Sequence, residues 1–297
     1  MIIDYKYHIA SLVAVFLALG IGILIGSTLL GNDALVEYQK QVTDRLESQL
    51  QSLREANEAI QARANTLELD ASIHKQFEKR VLPALVAGRL AGKKFAVVEL
   101  NNYGYPPELI EVLEKAGGEV TSVTAVKTPL NDSKLLAELV GELQWQGTAD
   151  EKLVTKLATE IACGIVSGEN RELFQYLQKR ELVRTNGQFG IPVDGVIIVG
   201  GDYKETKRDL QFDLALIDYF KELNITVLGV EETDVAYSTM KDYQRKQIST
   251  VDNIDTAPGQ LAVVLALSGQ PGNYGIKPSA RMLLPEIKMQ ETEKGVK

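Results

Sequence analysis

Residues 9–30 read IASLVAVFLALGIGILIGSTLL, and no formally charged side chain stands between Tyr7 and Asn32. At 1.5 Å per residue a helix of this length is ~33 Å long, enough for a hydrocarbon core of ~30 Å. A cleaved signal peptide has a shorter apolar run, ~7–15 residues, with a small-residue cleavage site after it. The following GSTLLGNDA stretch (residues 26–34) offers no such site. An uncleaved signal anchor over residues 9–31 is therefore expected, with residues 1–8 as a short N-terminus. Lys6 and the amino group precede the span, and Asp33 and Glu37 follow it. The positive-inside rule then puts the N-terminus in the cytoplasm of a plasma-membrane protein and the rest outside, an asymmetry that Asp4 reduces.

One face of this helix carries small residues at fourfold spacing: Ala10, Ala14, Ala18, Gly22 and Gly26. The Gly22–Gly26 step lets two backbones approach closely in lipid. The competing reading is that Gly and Ala are simply common in membrane helices. Five in register favour a self-associating span.

The next segment, residues 33–80, is polar and free of Gly and Pro. Leu46, Leu53, Ile60 and Leu67 recur every seven residues and fit position d of a heptad. In that register Thr43, Leu50, Asn57, Ala64 and Ala71 fall at position a. Leucine-type residues at d with one Asn at a specify a two-stranded parallel coil, the Asn fixing register at some cost in stability. The alternative is one amphipathic helix lying on its own globular domain. Two chains anchored in one bilayer start their coils in parallel, so span and coil together point to a homodimer.

Beyond the Gly88 to Gly92 stretch the hydrophobic period changes. Phe95–Leu100 (FAVVEL), Val120–Val126, Val193–Val199 (VDGVIIV) and Ile225–Val230 read as strands. Helices are expected over Pro106–Ala116, through much of 132–180, and over Leu210–Leu223. Leu261–Leu267 reads as a last, buried helix capped by Asp255 or Thr256, with Pro258 in its first turn. Near-continuous apolar strands alternating with helices indicate a three-layer α/β domain with a mainly parallel sheet, over residues 92–285. A charged tail, 286–297, follows.

Ligands of open α/β sheets sit beyond the carboxyl ends of strands. There the sequence offers Asn101, Asn102 and Tyr103 after the first predicted strand, and Gly200, Gly201 and Asp202 after the third. Asn101, Asn102, Gly200, Gly201 and Asp202 are thus the candidate ligand or partner face. Neither stretch matches a phosphate-binding glycine motif. A tight turn accounts for the glycines, and a cap or turn for Asp202. Asp252 and Asp255 could hold a hard cation, with turn and cap duty as the plainer account.

Composition narrows the chemistry. There are 32 Lys and Arg against 40 Asp and Glu, a net charge of −8, which disfavours nucleic acid. The two histidines, His8 and His74, precede the α/β domain, which leaves it no His-based catalytic apparatus. Cys163 reads as a small buried hydrophobe rather than a nucleophile. No enzyme activity and no cofactor are expected on these grounds.

Three stretches together resemble the MctB/SteB family: the opening MIIDYKYHIASLVAVFLALGIGILIGS, the strand VDGVIIVGG, and STVDNIDTAPGQLAVVLAL followed by NYG and LLP. The resemblance runs from residue 1 to about Pro285. It implies a single-pass envelope protein with a coiled coil and an extracytoplasmic α/β domain. It further implies a role in copper transport, export or homeostasis, or partnership with a SteA-like protein in envelope remodelling and division. Copper(I) prefers thiolate and thioether ligands. Besides Met1, the chain has Cys163, Met240, Met282 and Met289, no two at a recognised metal spacing. Repeated alternating ten-residue strands, the mark of an outer-membrane barrel, are not evident. The residues favour a dimeric scaffold; the family description favours copper transport.

Overall fold

The computed structural model describes residues 5–101, 103–127, 133–142, 151–168, 171–204 and 210–287. Asn102, Met289 and the tail from residue 288 lie outside these residues, as do residues 1–4 of the expected cytoplasmic segment. The chain divides into two units, residues 1–74 and 75–297.

The first unit is helical from Tyr5 onward, within helix α1 (Tyr5–Val86). Its Tyr5–Thr28 segment is long and apolar enough to cross a membrane. The polar stretch after it contains no helix breaker, and α1 continues through it and through Pro83 to Val86, past the predicted end at residue 80. The apolar seam of this stretch faces outward: Leu46, Leu50, Leu53, Ile60 and Leu67 are 53–68% exposed.

In the second unit, the described residues form one seven-stranded sheet. In chain order the elements are β1 (Lys94–Glu99), α2 (Pro107–Lys115), β2 (Glu119–Val126), α3 (Ser133–Glu142), α4 (Glu151–Ser167), α5 (Arg171–Lys179) and β3 (Val183–Gly187). They continue with β4 (Gly195–Val199), α6 (Gln211–Glu222), β5 (Thr226–Val230), α7 (Met240–Arg245), β6 (Ser249–Val251), α8 (Ala257–Leu267) and β7 (Asn273–Tyr274). Strand order is β3-β2-β1-β4-β5-β6-β7, all parallel except β3. The three-layer, mainly parallel α/β architecture expected from the sequence is present. VDGVIIV, expected as the third strand, is the fourth, because the polar stretch VRTNG forms β3.

Alternating side chains of the central strands divide the core in two. Ala96, Val98, Val196 and Ile198 pack with Leu157 and Ile161 of α4 and with Phe212, Leu216 and Phe220 of α6. Phe95, Val97, Ile197 and Val199 pack with Leu109 and Leu113 of α2 and with α8. Helix α8 is apolar all round because it is buried from Gly259 to Leu267. Thr256 is its N-cap, accepting from Gly259 N–H at 3.2 Å. Asp255 instead accepts from Thr233 N–H and Oγ1–H, at 2.8 and 2.9 Å.

Candidate functional site

Chain connections leave β1 toward β2 and return to β4 on its other side, so the sheet reverses direction between β1 and β4. That reversal is where ligands of open α/β sheets bind. Glu99 pairs with Val199, and Leu100 N–H donates to Val199 O at 3.0 Å. The two sequence-predicted stretches are therefore brought side by side, Asn101 beyond β1 and Gly200, Gly201 and Asp202 beyond β4.

Their polar groups are largely consumed locally. Asn101 is buried, and its Oδ1 accepts from Tyr103 N–H at 3.1 Å and Gly104 N–H at 3.2 Å. Its Nδ2 donates to Gly104 O at 2.7 Å, closing the loop on itself. Asp202 Oδ1 accepts from Lys204 N–H at 2.8 Å, and its backbone forms a bridge with Tyr237. This is turn duty. The two glycines serve different ends. Gly201 has φ +79°, a conformation other residues rarely adopt. Gly200 has no such φ; a Cβ there would meet Thr239 Oγ1 and would stand 2.8 Å from Tyr243 Oη. The expectation of one shared turn role is corrected: at Gly200 close approach is the constraint.

Above the reversal point, Tyr103 and Tyr203 meet edge to face, centroids 4.9 Å apart. Tyr203 donates to Glu232 Oε2 at 2.9 Å. Its phenol is pushed up to about 12 by burial, with the Glu232 hydrogen bond and the charges of Glu232, Asp255 and Asp234 adding to it. Glu99 is also raised by burial, against the pull of Gly104 N–H and Arg184.

The strongest electrostatic feature lies one strand further along and was not anticipated from the sequence. Glu231, directly after β5, is fully buried and pairs with Lys277 Nζ at 2.9 Å. Ser238 Oγ–H donates to the same carboxylate at 2.6 Å and Thr239 N–H at 3.1 Å, while Lys277 Nζ also donates to Glu232 O at 2.7 Å. Burial raises the Glu231 pKa despite Lys277 and the hydrogen bonds, which pull it down. Asp252, buried after β6, accepts from Ile276 N–H at 2.7 Å and from Lys277 N–H. Two carboxylates at the carboxyl ends of β5 and β6 thus tie down the loop around Lys277. The only sequence signal was a charged residue closing an apolar strand; Lys277 stands 46 positions away, beyond any periodicity.

Among the described residues, no group of three His, Cys, Asp or Glu is placed to hold a metal ion. Met240 is buried in the core and Met282 is exposed beside β7. Cys163 is half-buried on α4, not fully buried as expected, with Sγ 3.3 Å from Ser167 Oγ.

The sequence model of the copper transport outer membrane protein MctB matches residues 2–285. The chain belongs to the MctB family. Comparison with individual curated proteins gives no match. The MctB match spans the apolar segment, the rest of α1 and the whole sheet, so both units belong to one family architecture. It ties the chain to membrane-associated, copper-transport-related proteins. The described strands of this member form an open sheet edged by β3 and β7, with packed side chains on both faces.

Proposed function

We propose that this MctB-family protein is a dimeric, non-enzymatic scaffold. Its Tyr5–Thr28 segment anchors it in the plasma membrane, N-terminus in the cytoplasm, and its α/β unit is presented outside to an envelope partner of the SteA-like kind that the family resemblance implies. The observation that carries this reading is the uncovered apolar seam of α1, with Leu46, Leu50, Leu53, Ile60 and Leu67 exposed on a helix whose start is long and apolar enough to cross a bilayer. Burying such a seam against a parallel copy gains about 25 cal/mol per Å² of apolar surface. Asn57 at position a then selects the in-register pair. The consumption of polar groups at the sheet reversal supports a non-catalytic role.

Disulfide trapping tests the arrangement. In membranes holding the full chain on a Cys163→Ser background, Leu53→Cys at position d crosslinks to a dimer, and Glu55→Cys on the outer face does not. Equal trapping at both positions sinks the coil.

The family description favours a second reading, in which copper is cargo and this chain is part of its transport. Stoichiometric copper(I) binding by the full chain would support it.

A further inference from the structure

The heptad that runs through Leu46, Leu53, Ile60 and Leu67 also fixes which residues flank the seam. Position g borders it on one side and position e on the other. In a parallel pair each g residue lies against the e residue five positions later on the second copy. Three of the four g–e pairs set up between residues 42 and 68 include an uncharged member. The fourth is Arg63 at g with Glu68 at e, two opposite charges.

Within one chain these two charges have no use for each other. At 3.6 residues per turn, five positions place them about 140° apart around the helix, one on each flank. No residue three or four positions from either is charged, so the usual intrahelical ion pair is not on offer. Both are exposed, and among the described residues neither side chain has an ion pair or a hydrogen bond. Helix α1 is unbroken from Tyr5 through both positions, so the register set by the leucines holds here.

The same charges penalise the wrong alignments. Slipping one copy by a heptad sets Asp70, the next g residue, against Glu68 of the other chain, like against like. An antiparallel pair brings g to g and e to e, which separates Arg63 from Glu68 altogether. Only the parallel, in-register pair joins them, and its twofold symmetry repeats the contact on the second flank.

We propose that Arg63 of each copy pairs with Glu68 of the other, and that these two contacts select a second copy of this chain and fix it parallel and in register. This rests on the scaffold reading and names the residues that decide its geometry. Exposed pairs add little affinity, so their work is discrimination between alignments.

The test is pairing preference of the full chain in detergent, with two differently tagged variants coexpressed and the dimers counted after sequential tag purification. Arg63→Glu puts two carboxylates against each other on both flanks of its own dimer, and Glu68→Arg does the same with two cations. Mixed together, each supplies what the other lacks. At low salt the heterodimer exceeds the two homodimers combined by about fivefold, against equal amounts for random pairing. The preference fades in strong salt, because the pairs are exposed. The double variant Arg63→Glu, Glu68→Arg restores the pairing within itself, so it self-associates and avoids the unmodified chain. Exposed Arg45, at position c on the outer face, is the control, and Arg45→Glu pairs at random with the unmodified chain. Random pairing of the two single variants at low salt, or a preference untouched by salt, overturns the proposal while dimers of the unmodified chain leave the scaffold reading standing. If the unmodified chain is monomeric, both fall.

Discussion

Replacing Lys277 by Met keeps most of the aliphatic stem and removes the one cation that pairs with the buried Glu231 carboxylate among the described residues. Ser238 and the Thr239 N–H remain as donors, but no cation among the described residues balances the carboxylate. Breaking a buried ion pair from one side costs about 3–5 kcal/mol. For a domain of this size ~1 kcal/mol shifts Tm by about 2–4 °C, so the α/β unit loses about 6–20 °C at neutral pH. The pH dependence has a definite sign. Burial already holds the folded-state pKa of Glu231 above its ordinary carboxylate value, so the folded protein binds that proton more readily than the unfolded chain. The stability tied to this group is greatest below the unfolded pKa and is lost as pH rises through the folded one. Without Lys277 the folded pKa moves higher still, so the deficit of the variant relative to wild type is smaller in acidic buffer than at neutral pH. The double variant Glu231→Gln, Lys277→Met removes the charge along with its partner and regains most of the loss. Near-ultraviolet circular dichroism during heating reports the α/β unit separately from the helicity of α1. A deficit under ~1 kcal/mol, or one equal at both pH values, refutes the reasoning.

Three further outcomes follow from the geometry. Gly200→Ala pushes a methyl group toward Tyr243 Oη and Thr239 Oγ1 and costs about 1–3 kcal/mol, measured by denaturant unfolding. Thr256→Ala deletes the N-cap of α8 and costs ~1 kcal/mol in the same assay, with the fold retained. Calorimetry with micromolar copper(I) shows no stoichiometric binding to the full chain; a tight, saturable site would favour the cargo reading instead.

The parts of the fold that were legible in the sequence are those buried on both faces. FAVVEL and VDGVIIV announced β1 and β4 because both faces of each strand are covered, leaving apolar residues at consecutive positions. The stretch VRTNG did not announce β3. An edge strand has one open side and a solvated face, so it needs no apolar run. β6 and β7 are three and two residues long, too short to carry a period. Helix α8 was anticipated from its apolar residues 261–267 together with a cap at Asp255 or Thr256 and Pro258 in the first turn; Thr256 is the cap. The convergence of Asn101 with Gly200 to Asp202 followed from strand-end logic alone. The Glu231–Lys277 pair, by contrast, depends on how the loop after β7 returns, and the Tyr103–Tyr203 contact on how two loops fold over the reversal point. Neither leaves a mark in local sequence.

The central claim is that α1 carries an apolar seam made for a second copy. It is tested most directly by the molar mass of the full chain in detergent, from light scattering corrected for bound detergent. The account predicts about 65 kDa, twice the 32.7 kDa chain, falling toward a single chain on Asn57→Lys, which buries a like-charged pair in the seam. A protein mass of 32.7 kDa for the unmodified chain at high concentration would contradict it.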